Sequence, residues 1–190
     1  MGRRSPAEAR ERKAGVDDPA VVLEAAARFL QARSRSVAEV RRRLDGAGYR
    51  ADLVEGAIER MLELGMLDDE AFARAWVESR DRVRPRGERA IRSELVLKGV
   101  DRSSIDLVLA ERREAALAGD EAEQGGTGQS PDRVAAERLL ARNLRSLQRV
   151  ADPRKRRQRA YQLLARNGFD PETCRDVAAG VDRGPADLED

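Results

Sequence analysis

One pattern, written three times, limits this chain more than any other feature: a basic start, an amphipathic stretch, a glycine, then a second apolar-periodic stretch. It reads RSVAEVRRRLDGAGY from Arg35 to Tyr49, RGERAIRSELVLKGV from Arg86 to Val100 and KRRQRAYQLLARNGF from Lys155 to Phe169. Aligned on Gly48, Gly99 and Gly168, each basic start lies thirteen residues before its glycine. Val40, Ile91 and Ala160 then coincide, as do Leu44, Leu95 and Leu164. Past the glycine come Tyr49, Val100 or Phe169, next Val54, Ile105 or Cys174, and four residues on Ile58, Leu109 or Ala178. Apolar residues four apart on either side of a glycine spell helix, turn, helix. A further helical stretch precedes each copy: VLEAAARFLQAR, DEAFARAWVESR and PDRVAAERLLARNL.

The expected architecture is therefore all-α, with three tandem three-helix units over roughly 21–65, 67–115 and 131–181. A unit of about 45 residues buries too little surface to stand alone, so tandem units share interfaces and extend the molecule. Start signals agree with this division. Ser36 and Glu39 have capping-box spacing, Asp52 with Glu55 and Asp68 are further cap candidates, and Ser130, Asp152 and Asp170 each precede a proline. Val54, Ala57, Ile58, Met61 and Leu62 form one expected inward face; Phe72, Ala75 and Trp76 form another. Trp76 shares its stripe with Phe72, so it reads as core rather than as a base-stacking platform. Outside the units, 1–16 reads as a disordered basic arm and 182–190 as an acidic tail. Residues 118–130 read as a flexible acidic, glycine-bearing linker or as the frayed end of the helix before it.

Aromatic residues are only 3% of the 190, so the core must come from Leu, Val, Ile and Ala. Charged residues reach 38%, yet the formal net charge is +2. That average hides a segregation: residues 141–160 set eight basic side chains against Asp152 alone, while 115–132 carry only acids. Such blocks point to basic surfaces that meet an anion. The chain has no histidine and one cysteine, Cys174, which excludes an intrachain disulfide and argues against zinc. Asp68, Asp69 and Glu70 read as helix-start carboxylates rather than metal ligands, and no GxxxxGK[ST] loop is present. No catalytic residue, cofactor or metal is expected. Neither a membrane-length apolar run nor a secretory stretch is present, so the expectation is a cytoplasmic monomer with no membrane partner.

GMLDDEAFARAWVESR, from Gly65 to Arg80, followed by RGERAIRSELVLKGV, resembles the central region of the RecX family, bacterial regulators of the RecA recombinase. RSVAEVRRRLDGAGY and IERMLELG upstream resemble that family's first unit, and the resemblance runs over roughly 21–181. The third unit departs from it, with Ala160 and Cys174 at core positions. The resemblance implies a modular, curved helical protein that binds the RecA–DNA filament. It further implies inhibition of strand exchange, ATP hydrolysis and coprotease activity.

Candidate partner-binding residues fall in three groups: Arg41, Arg42 and Arg43 within the first copy; Arg80, Arg82, Arg84 and Arg86, with Lys98, around the second; and Arg154, Lys155, Arg156 and Arg157 opening the third. Each group also reads as a solvated helix face, the first most of all, because Glu39 and Asp45 lie close. The expected partners are the RecA filament or, alternatively, DNA phosphates contacted without sequence specificity, single- or double-stranded.

Overall fold

The computed structural model describes residues 5–122 and 130–182. Among these, every regular element is helical: α1 (Pro6–Ala14), α2 (Pro19–Leu30), α3 (Val37–Ala47), α4 (Ala51–Glu63), α5 (Asp69–Arg82), α6 (Glu88–Lys98), α7 (Arg102–Ala122), α8 (Pro131–Gln148), α9 (Pro153–Arg166) and α10 (Pro171–Ala179), with a short 3₁₀ turn at Gly180–Asp182. Helices α2–α4, α5–α7 and α8–α10 are the three expected sets.

Helix starts follow local chemistry. Ser36 Oγ accepts from the Glu39 N–H at 3.1 Å while the Glu39 carboxylate accepts from the Ser36 N–H, closing the capping box. Asp68, Ser130, Asp152 and Asp170 accept from the first free N–H groups of their helices. Asp52 does not cap α4. Arg50 holds the cap position without a side-chain bond, and Asp52, two residues in, takes the Arg50 guanidinium at 2.6 Å. Two face assignments also shift: Leu62 is 46% exposed, and on α5 Ala73 and Val77 are buried in place of Ala75.

The expected disordered arm is corrected. Residues 6–14 form α1, because Ser5 and Glu8 make a capping box, Pro6 opens the helix, and Arg12 and Lys13 complement its C-terminal end. Residues 1–4 lie outside the described set. Helix α7 runs to Ala122, so the first residues of the expected linker are helical and 123–129 lie outside the described residues. Asp182, expected at the start of an acidic tail, ends the 3₁₀ turn, and 183–190 are likewise outside.

The chain divides into two compact units: Met1–Ala73 with Val96–Ser104, and Arg74–Leu95 with Ile105–Asp190. In the first, α2, α3 and α4 enclose Val22, Ala26, Val40, Leu44, Val54, Ile58, Met61 and Leu67. Arg10 of α1 lies against Gly48, and the Lys13 ammonium sits 5.1 Å from the centre of the Tyr49 ring. In the second, α8, α9 and α10 enclose Ala136, Leu140, Leu147, Ala160, Leu164, Phe169, Cys174 and Val177. Ile91, Leu95, Ile105 and Leu109 are also buried there. The residues that align between copies are thus buried copy for copy, except that Tyr49 is only partly buried where Val100 and Phe169 are buried.

Each unit contains one joint, and the two joints match. In the first unit the Ser36 hydroxyl donates to the Lys98 carbonyl at 2.6 Å, and the Val37 N–H donates to Asp69 at 2.9 Å. In the second, the Gly87 N–H donates to the Asn167 carbonyl at 3.0 Å, and the Glu88 N–H donates to Asp132 at 2.9 Å. Lys98 and Asn167 each precede a turn glycine; Gly99 and Gly168 have φ of 83°. A Cβ on Gly99 would overlap Ala38, and one on Gly168 would overlap Ala90. The positive φ and the close approach therefore both demand glycine. A middle helix thus grips the next glycine turn with the residue just before the helix and a small residue in its first turn, while its first N–H is held by an aspartate at or near the start of another helix. Helix α9 begins differently, with Pro153 at its first position and Arg154 and Lys155 behind it.

Candidate functional site

The basic residues are distributed by what their guanidinium and ammonium groups touch. In the first unit, Arg41 clasps the Glu55 carboxylate with Nε and Nη2 at 2.7 and 2.8 Å, which holds Glu55 below the usual carboxylate range. Arg42 donates to the Ala38 and Lys98 carbonyls, and Lys98 Nζ meets Glu39 at 2.8 Å. The Arg35 and Arg43 guanidinium carbons stand 4.2 and 5.6 Å from the Phe29 ring centre. Phe29, Glu39, Arg42, Arg43, Leu97 and Lys98 line an open groove of ≈ 450 Å³.

In the second unit, the four arginines that crowd residues 80–86 separate. Arg80 Nε lies 2.6 Å from Glu94, with its guanidinium 4.2 Å from the Trp76 ring centre, and Trp76 Nε1 donates to the same carboxylate at 2.8 Å. Trp76 is half-buried in this clamp rather than sunk in the core. Arg86 approaches Glu94 at 3.7 Å, so Arg80 and Arg86 share this carboxylate. Arg82 pairs with Glu78 on the surface, its side chain 75% exposed. Arg84 is exposed and has no ion-pair partner among the described residues. At the start of α9, Arg156 and Arg157 both pair with Asp182 at 2.9 Å, while Arg154 and Lys155 are exposed without such a partner among the described residues.

Two arrangements were not read from the sequence. Arg112, its side chain 4% exposed, bridges Asp81 at 2.7 Å and Asp132 at 2.6 Å and so ties α5, α7 and α8 together. The carboxylates raise its pKa against the opposing effect of its burial. The other is a row along α8 and its C-terminal cap: Arg138, Arg142, Arg145 and Arg149 are all exposed. Arg138 donates to the Asp81 carbonyl; Arg142 donates to those of Arg82 and Val83. Their intervals of four, three and four were the available signal. Among the described residues no group of three or more Cys, Asp or Glu is placed to hold a metal ion, and no helix is long and apolar enough to cross a membrane.

Three helix triplets with buried aliphatic stripes, matching glycine-turn joints and arginine-bearing faces define a class, that of all-helical tandem-repeat proteins. Comparison with known proteins narrows it. The models for the first, second and third three-helix domains of RecX match residues 23–61, 68–109 and 132–177 in that order. Regulatory protein RecX of Mycolicibacterium vanbaalenii is 35% identical over 179 residues, spanning 90% of this chain and 86% of its own length. That of Mycobacterium avium is 33% identical over 142 residues, spanning 75% and 73%. The crystal structure of RecX from Lactobacillus salivarius shares the fold at a TM-score of 0.68 and 19% identity, over 87% of this chain and 97% of that one. The chain belongs to the RecX family of regulatory proteins.

Proposed function

We propose that this chain is a non-enzymatic regulator that binds the RecA–DNA filament and inhibits its ATP hydrolysis, strand exchange and coprotease activity. It would act in recombination, repair and the SOS response, as a cytoplasmic monomer without a cofactor. The observation that carries this reading is the ordered match of three consecutive RecX domains, together with relatives named regulatory proteins across most of their length. Repeated modules suit a repetitive target, because each bound module raises the effective concentration of the next. A second reading, non-specific contact with DNA phosphates, is favoured by the exposure of Arg84, Arg154 and Lys155.

The test is a titration of the protein into cognate RecA on single-stranded DNA while ATP hydrolysis is followed. Inhibition complete below one molecule per recombinase supports action on the filament. Unchanged hydrolysis at excess protein and low salt would falsify the regulatory reading and leave the phosphate-binding one.

A further inference from the structure

We propose that the α8 face bearing Arg138, Arg142 and Arg145, continued by the capping residue Arg149 and with Arg84 on the adjoining loop, is a docking surface for the sugar-phosphate backbone of duplex DNA. Positions at intervals of four, three and four lie within one narrow stripe of a helix with 3.6 residues per turn. All four are exposed, and the face turned away from them carries buried Ala136, Leu140 and Leu147. None of the four meets a carboxylate among the described residues. Their neighbour Arg133, off the stripe, does, pairing with Glu137 at 3.2 Å. Like charges one turn apart repel, so a row of four arginines without an acid in reach is a self-repelling arrangement. An external polyanion relieves it.

The hydrogen bonds within the row also shape it. Arg138 and Arg142 donate to carbonyls at the end of α5, which pins the loop carrying Arg84 against the stripe. A guanidinium has five donors, and these bonds leave most of them for a ligand. The Arg145 and Arg149 side chains make no hydrogen bond to the described residues and present the whole fork.

The chemistry of the face selects the partner. Interface cores between proteins gather aromatic and apolar residues and shed charge, and this stripe has no aromatic residue. Single-stranded nucleic acid is held largely by stacking on aromatic rings, which the face also lacks. A line of cations about 16 Å long instead suits a regular row of phosphates, several of which fall within that length where they follow one another at about 3.4 Å of axis along a duplex strand. Phosphate contacts position a protein on DNA without reading sequence, so no base preference is expected.

This surface deepens the phosphate-binding reading, and its test needs no recombinase. A fluorescent 20-base-pair duplex is titrated with the full chain between about 50 and 200 mM salt, beside a single strand of equal length. The comparison variants are Arg145→Gln/Arg149→Gln and a charge-matched control, Arg28→Gln/Arg60→Gln, whose arginines are exposed but paired with Glu24 and Glu63. The wild-type slope of log affinity against log salt should be about −3 to −4, and the α8 variant should flatten it by roughly two while the control leaves it in place. At 50 mM salt the α8 variant should bind at least tenfold more weakly. Equal binding by all three proteins overturns the proposal, as does tighter binding to the single strand. If wild type does not bind the duplex, yet the α8 variant loses inhibition of the recombinase, the stripe serves a protein contact and the proposal fails while the regulatory reading stands.

Discussion

At Gly99 two demands meet in one residue: a φ of 83° and the Ala38 methyl pressed against its Cα hydrogens. Gly99→Ala should therefore destabilise the chain by about 1–3 kcal/mol in urea unfolding, since both a left-handed alanine and an overlap carry a penalty. Ala38→Gly in the same chain should recover the overlap part only, and a double-mutant cycle measures how much. No recovery would show that the backbone angle accounts for the whole effect. The turn glycines were legible in the sequence because three of them align. Trp76 was not. Its spacing from Phe72 pointed inward, but its surroundings are set by Arg80 one turn on and by Glu94 on another helix, and no local pattern announces the second.

Between elements, the joints turn on the N-terminal N–H groups of α3 and α6, which donate to Asp69 and Asp132. Burial pushes both carboxyls above the ordinary aspartate range despite those bonds. A raised value in the folded state means that the proton is held more tightly there than in the unfolded chain. The resulting stabilisation is complete below the ordinary value of 3.8 and fades as pH climbs through the raised one. The stability difference between wild type and Asp69→Asn should therefore shrink from about pH 3.5 upward and level off once Asp69 is ionised; urea titrations at each pH would read it. A difference that grows with pH would show that the N–H bond, not burial, governs Asp69. Arg112 belongs to the same scale. Arg112→Met leaves Asp81 and Asp132 facing each other without their cation, and should destabilise by about 3–5 kcal/mol. Helix starts, turns and aligned stripes were readable because each is local. The carboxylates that clasp a neighbouring helix were not, since their partners lie 32 and 44 residues away.

For the molecule as a whole, a formal net charge of +2 conceals a division of labour among arginines. Many are fasteners: Arg41 to Glu55, Arg80 to Glu94, Arg112 to Asp81 and Asp132, Arg156 and Arg157 to Asp182. Others face solvent. Arg82→Glu/Arg84→Glu should weaken inhibition of the recombinase while leaving the melting temperature within about 2 °C, because exposed pairs contribute little. Arg80→Glu should lower that temperature, because it sets two carboxylates side by side against Trp76. Composition gave the basic blocks but could not sort fasteners from free hands, since that depends on which acid each guanidinium reaches. The start of α9 bears on another property, the number of repeats. Where α3 and α6 offer an N–H to an aspartate and a small side chain to a glycine turn, α9 offers a proline nitrogen with no hydrogen, backed by Arg154 and Lys155. A gene duplication that appended a fourth unit would find no seam there to sew into.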